Sequence, residues 1–175
     1  MEQLRSEFKA QIEALCAAGV DLIAIETMYD LRECLAALEA ARSITALPIF
    51  ASMTFETKRR GTFTMVGDPL VGALEALVAA GADAVGCNCS VTPETMLPMI
   101  SEASASVNAP IIAQPNAGAP SVAAAEGCSY DYEPAEFVDR VGQIVDAGAR
   151  VVGGCCGTDP RVIARLRSLI DARTP

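Results

Sequence analysis

The sequence predicts an α/β fold with a parallel sheet wound as a (β/α) barrel of the TIM type, and three observations carry that expectation. Apolar runs of strand length alternate with stretches of helical period along all 175 residues, which implies right-handed β–α crossovers and a parallel sheet. One helix-to-strand joint is written three times, as Ala18-Gly19-Val20-Asp21, Ala80-Gly81-Ala82-Asp83 and Ala147-Gly148-Ala149-Arg150, a repetition that suits a barrel better than a doubly wound sheet. Glu26, Thr54, Cys89, Asn116, Cys155 and Cys156 all fall at the carboxyl ends of the expected strands, where such barrels carry their reactive groups. A closed barrel needs eight strands. Only about five of the eight βα units can be found here, within a single domain over residues 1–175.

Taken in order, residues 4–18 place Leu4, Phe8, Ile12 and Leu15 at helical spacing and stop at Ala18-Gly19, glycine being the usual residue after a helix end. Residues 20–25 follow as a strand apolar enough to be covered on both faces, ending on Glu26-Thr27. A helix over about 30–43 gathers Leu31, Cys34, Leu35 and Leu38 on one face, and residues 48–54 form the second strand. Helix 69–80 leads to a third strand at 82–86 that ends in Cys87-Asn88-Cys89. Helix 93–103 leads to a fourth at 110–114 that ends in Pro115-Asn116-Ala117-Gly118. A polar loop with Tyr130 and Tyr132 comes before helix 134–147 and the fifth strand, 149–153. The last helix begins at Asp159-Pro160, with Thr158 or Asp159 as N-cap and Ile163, Leu166 and Ile170 along its apolar run.

Composition narrows the function classes. A 51% apolar chain with mean hydropathy +0.33 can bury one core. No apolar run reaches the ~18 residues of a membrane span and no charged-then-apolar leader precedes the first helix, so a cytoplasmic protein is expected. A net charge of −9 argues against nucleic acid or an anionic membrane as partner. The short basic run Lys58-Arg59-Arg60 reads as a solvated loop.

Seven cysteines without a secretory signal favour free thiols or metal ligands over a disulfide framework. Histidine is absent, so any metal site must rest on thiolates and oxygen or amide groups. Cys155 and Cys156 are neighbours, and adjacent Cα atoms, ~3.8 Å apart, are too close for a comfortable disulfide. A shared metal ion explains them better, provided the backbone leaves the strand there; Gly153, Gly154 and Gly157 are expected to supply the unusual dihedrals and close approach. Three thiolates at Cys89, Cys155 and Cys156 would hold zinc with one position left for substrate. Ordinary buried cysteines are the plain alternative, a redox pair at Cys155 and Cys156 a weaker one, and spacing alone does not choose between Cys87 and Cys89. Cys16, Cys34 and Cys128 are explained by packing or chance. Glu26 either binds a cationic ligand group or is satisfied by backbone donors, and Asn116 either serves the site or is a turn residue before Gly118.

At Gly86-Cys87-Asn88-Cys89 and Gly153-Gly154-Cys155-Cys156-Gly157-Thr158 the chain resembles the homocysteine S-methyltransferase family, with Ile25-Glu26-Thr27 and Gln114-Pro115-Asn116-Ala117-Gly118 as further family-like segments in the family's order. The resemblance spans essentially the whole chain. It implies a zinc-dependent barrel that methylates the sulfur of homocysteine, with this chain matching the C-terminal part of that barrel and the amino-terminal strands missing. It also implies Cys89, Cys155 and Cys156 as zinc ligands, Glu26 as the carboxylate that receives the amino group of homocysteine, and Asn116 as a substrate-side residue near the metal. The partners it implies are homocysteine or a related thiol, and a methyl donor or a corrinoid- or folate-carrying protein or domain. Open sheet edges call for self-association, a separate subunit bearing the missing strands, or an origin as an excised fragment. The competing expectation is a non-catalytic zinc- or thiol-binding half-barrel that needs a partner for activity.

Overall fold

The computed structural model describes residues 1–123, 127–130 and 132–173, with the side chains of 121–129 outside that description. Among the described residues six helices and nine strands follow one another as α1 (Glu2–Ala17), β1 (Ile23–Met28), α2 (Leu31–Arg42), β2 (Ile49–Met53), β3 (Glu56–Lys58), β4 (Gly61–Phe63), α3 (Leu70–Ala79), β5 (Ala84–Asn88), α4 (Pro93–Ser106), β6 (Ile111–Gln114), β7 (Pro120–Ala123), β8 (Gly127–Tyr130), α5 (Pro134–Asp146), β9 (Ala149–Val152) and α6 (Pro160–Asp171).

Five strands form one parallel sheet in the order β1-β2-β5-β6-β9. Each new strand is added on the same side as the last, with no reversal. A doubly wound sheet would reverse at a switch point; a barrel does not, so the structure is part of a (β/α) barrel with about five of its eight units. The sheet is also curled. Glu26 on the first strand and Gln114 on the fourth would stand ~14 Å apart across a flat sheet at ~4.8 Å per strand, yet Gln114 Nε2 donates to Glu26 Oε1 at 3.1 Å.

Register separates the two faces. Ile25, Ala51, Val85, Ile111 and Ala149 fall in one row facing the helices and belong to the main core, with Leu38, Leu74, Leu77, Met96 and Ile100 opposite them. Ser52, Gly86, Ile112 and Val151 form a row on the concave side. Gly86 has no substitute there, because a Cβ would lie 2.0 Å from the Ile112 carbonyl oxygen. A smaller cluster joins Phe137, Val138 and Val141 of α5 to Val162 and Leu166 of α6.

The helix ends bear out their sequence cues. Asp30 caps α2 by accepting from Arg32 N, and Asp159 rather than Thr158 caps α6 by accepting from Arg161 N and Val162 N. Gly19, Gly81 and Gly148 after α1, α3 and α5 all have positive φ, the left-handed turn that glycine makes without strain.

Several expectations are corrected. The first strand begins at Ile23, and its burial alternates because Ala24 and Glu26 look into the open concave side. The two expected loops are antiparallel hairpins, β3 with β4 and β7 with β8; their strands of three or four residues are too short for period-two patterning to show. Lys58-Arg59-Arg60 is exposed, as expected of a solvated run, and sits at the first hairpin's turn. Cys128 lies in β8, with its side chain outside the described residues. Of the expected apolar run on α6 Leu166 is buried, but Ile163 is 48% exposed, and Val162 is buried beside Leu166.

Candidate metal centre

β5 ends where a regular strand would place Cys87 and Cys89 on one face. Cys87 stays on the helix side, 1% exposed and paired in register with Met53 and Ala113; burial pushes its thiol up to about 12. At Cys89 and Ser90 the backbone turns left-handed, with φ of 61° and 62°. That turn swings Cys89 out of the sheet's parity and over the rim.

The adjacent pair arrives from the other side. Beyond β9 the chain bonds to the β6 rim through Cys155 N to Pro115 O (2.9 Å), Ala117 N to Cys156 O (2.9 Å) and Cys156 N to Asn116 Oδ1 (3.1 Å). Gly157 has φ 82° and packs under Tyr130, whose Cγ would be 2.3 Å from a Cβ there. Gly154 takes no positive φ, contrary to expectation; its requirement is close approach, since a Cβ would meet Thr158 Cγ2 at 2.2 Å. Gly153 shows neither a positive φ nor so close a neighbour.

The outcome is that the sulfurs of Cys89, Cys155 and Cys156 all lie within 4.8 Å of one another, with Cys89 and Cys156 at 3.8 Å. All three thiols are free. Burial opposes ionisation of Cys89, but the Ser90 N–H, the Cys155 and Cys156 thiols and the Asn116 side chain hydrogen-bond its sulfur and bring its pKa below the ordinary thiol value. Cys155 is pushed up to about 12, first by burial and then by the Cys89 sulfur. Three thiolates at this range repel one another, so the full set ionises only around a cation. Tetrahedral zinc with Zn–S of about 2.3 Å separates its sulfurs by about 3.8 Å, the spacing of Cys89 and Cys156, so the residues present fit such an ion.

The other expected residues gather at the same rim. Glu26 is exposed on the concave side, its carboxylate bonded to Gln114. Asn116 is 7% exposed and bridges the centre, reaching the Cys89 sulfur and accepting from Cys156 N. Thr54 Oγ1 donates to Ser90 Oγ at 2.6 Å. Two residues were missed by the sequence reading. Gln114 holds Glu26 with its side chain and Cys89 N with its carbonyl, at 3.0 Å. Asn88, 1% exposed, ties the ends of β1, β2 and β5 together. A polar amide closing an apolar strand was the available signal for both.

Fold and site together define the class: an open barrel segment whose strand ends converge three thiols on one point. The family profile described as homocysteine S-methyltransferase matches residues 1–170. The chain belongs to the homocysteine S-methyltransferase family. It is 33% identical over 173 residues to a methionine synthase of Mycobacterium tuberculosis and 32% identical to that of Mycobacterium leprae, covering 95% of this chain and 14% of each relative. Among solved structures it resembles the homocysteine methyltransferase MmuM from Escherichia coli in its apo form (TM-score 0.77, 26% identity, 96% of this chain and 56% of that one) and in its metallated form (TM-score 0.72, 27% identity, 97% and 52%). The chain thus spans about half of those structures and about one seventh of the methionine synthases.

Proposed function

We propose that this chain provides the zinc-and-thiol site for methyl transfer to the sulfur of homocysteine, as the C-terminal part of a homocysteine S-methyltransferase barrel. The observation that carries the reading is the convergence of the Cys89, Cys155 and Cys156 sulfurs within 4.8 Å at the carboxyl rim. When bound, zinc supplies Lewis acidity that deprotonates an incoming thiol at neutral pH. The chain's own residues do the rest. Cys89, Cys155 and Cys156 would hold the metal, and three anionic ligands would keep it electron-rich enough for a thiol held there to react as a nucleophile. Asn116 orients Cys89 and the Cys156 backbone, while Glu26 takes the substrate's ammonium group with Gln114 fixing its carboxylate. The methyl group comes from a small donor or a corrinoid- or folate-carrying protein or domain that reaches the open rim. No described helix is long and apolar enough to cross a membrane, and seven cysteines suit the reducing cytoplasm, where we place the protein.

A second reading has its own support: the outer edges of β1 and β9 are unpaired among the described residues. On that reading the chain is a zinc- or thiol-binding subunit, active only with a partner that completes the barrel. One experiment separates the two. Purified under reducing conditions, the protein is expected to hold one equivalent of zinc, lost in Cys89→Ala, and methionine formation is then measured with and without a protein supplying the complementary strands. Product from the chain alone establishes a self-sufficient enzyme, product only with the partner establishes the subunit, and wild type without zinc refutes both.

A further inference from the structure

Three non-glycine residues in two segments beside the site hold left-handed backbone, Thr27 at φ 60°, and Cys89 and Ser90 at φ 61° and 62°. Outside glycine such conformations are uncommon and persist only where their surroundings fix them. One side chain touches both segments. Asn88 precedes Cys89 directly, and its Oδ1 accepts from Thr27 N at 2.8 Å and from Ser52 Oγ at 2.8 Å. Its Nδ2 donates to Thr27 Oγ1 at 2.6 Å. β1 and β5 are not neighbours in the sheet, so these bonds cross the end of β2, and at 1% exposure Asn88 has no water with which to exchange them.

The consequence is a fixed span across the rim. Thr27 follows Glu26, and Cys89 follows Asn88, so the amide locks the carboxylate-bearing end of β1 to the thiol-bearing end of β5. Gln114 forms a second tie at the same level, through Glu26 Oε1 and Cys89 N. We propose that Asn88 is a positioning residue that sets the distance between the Glu26 carboxylate and the three-thiol cluster, and thereby selects thiols carrying an ammonium group at the matching separation. The proposal rests on the homocysteine reading above. A thiol without an amino group has no use for the span.

The test compares L-homocysteine with 4-mercaptobutanoate, the same chain without its amino group, by calorimetric titration of zinc-loaded protein. Wild type binds homocysteine at least about tenfold more tightly, the worth of one hydrogen bond to a charged group. In Asn88→Ala the ratio collapses to within about twofold while zinc content and 4-mercaptobutanoate affinity hold. Glu26→Gln loses the ratio by itself, and adding Asn88→Ala to it changes the ratio no further. Thr27→Val, which keeps Asn88 and removes only the hydroxyl it bonds, lowers the ratio partway and serves if Asn88→Ala does not fold. A ratio unchanged in both Asn88→Ala and Thr27→Val, or equal weakening of both thiols, overturns the proposal. Wild-type zinc protein that binds neither thiol overturns the homocysteine reading and this proposal with it.

Discussion

At Asn116 a single amide serves two cysteines. Its Oδ1 accepts from Cys156 N while its side chain also bonds the Cys89 sulfur, joining the two halves of a centre that are 67 residues apart in sequence. Asn116→Ala removes both ties and leaves the part-buried Cys156 N–H without its side-chain partner. Loss of such an outer contact costs metal affinity more than it costs folding, typically tenfold to a hundredfold. Zinc affinity by competitive chelator titration is therefore expected to fall by about tenfold or more, with an unchanged far-ultraviolet circular dichroism spectrum; affinity within about twofold of wild type would remove Asn116 from the centre. The sequence placed Cys89, Cys155, Cys156, Glu26 and Asn116 at strand ends because apolar runs mark where strands stop. It left Cys87 and Cys89 unresolved for a physical reason: alternation puts both on one face, and only the left-handed turn at Cys89 separates them.

At the scale of elements, the recurring joint contains an electrostatic clip at its second occurrence. After Gly81, the carboxylate of Asp83 accepts from Ile49 N at 2.7 Å and pairs with Arg42, and Arg42 also donates to the Gly81 and Leu47 carbonyls. α2, β2 and the start of β5 are thereby pinned at one corner. The Ile49 N–H lowers the Asp83 pKa most, burial works against it, and Arg42 lowers it further. A carboxylate with a folded pKa below its unfolded value adds stability that is full above the unfolded value, 3.8, and is lost as pH falls through the folded one. Asp83→Asn is accordingly expected to be destabilised at pH 7, by no more than about 1 kcal/mol because the pair is half exposed. The gap should close below pH ~4, the ordinary carboxylate range, in urea melts of both proteins. A constant difference from pH 7 to pH 3 would show that the charge contributes nothing. The joints were legible because glycine and the residues after it do local work. The antiparallel pairs β3–β4 and β7–β8 were not, because what defines them is pairing rather than periodicity.

For the whole molecule, the decisive feature is a curled sheet whose two edges are unpaired among the described residues. Five strands are too few to close a barrel. On the β1 side a 290 Å³ groove lies between α1 and the sheet, lined by Phe8, Ile12, Leu15, Ile23, Ile25 and Met28; Leu15 is 40% and nearby Leu22 39% exposed. On the β9 side Ile163 is exposed above Val152 and Leu166. Apolar surface beside an unpaired strand edge is a template for association. Pairing β1 of one copy with β1 of another buries one edge on each, whereas β1 against β9 uses both edges of every copy and closes into a ring or runs on as an open array according to the rotation between copies. The net charge of −9 opposes both, and salt screens that repulsion while leaving apolar burial intact. The chain is therefore expected to self-associate in solution, and more strongly at ~0.5 M than at ~0.05 M salt, where the Debye length is longer. Sedimentation velocity over a range of concentrations measures it, and Leu15→Glu with Leu22→Glu should lower the average mass without changing zinc content. A monomer at all concentrations and both salts, with no binding of a hydrophobic dye, would mean that the exposed face is tolerated as it stands.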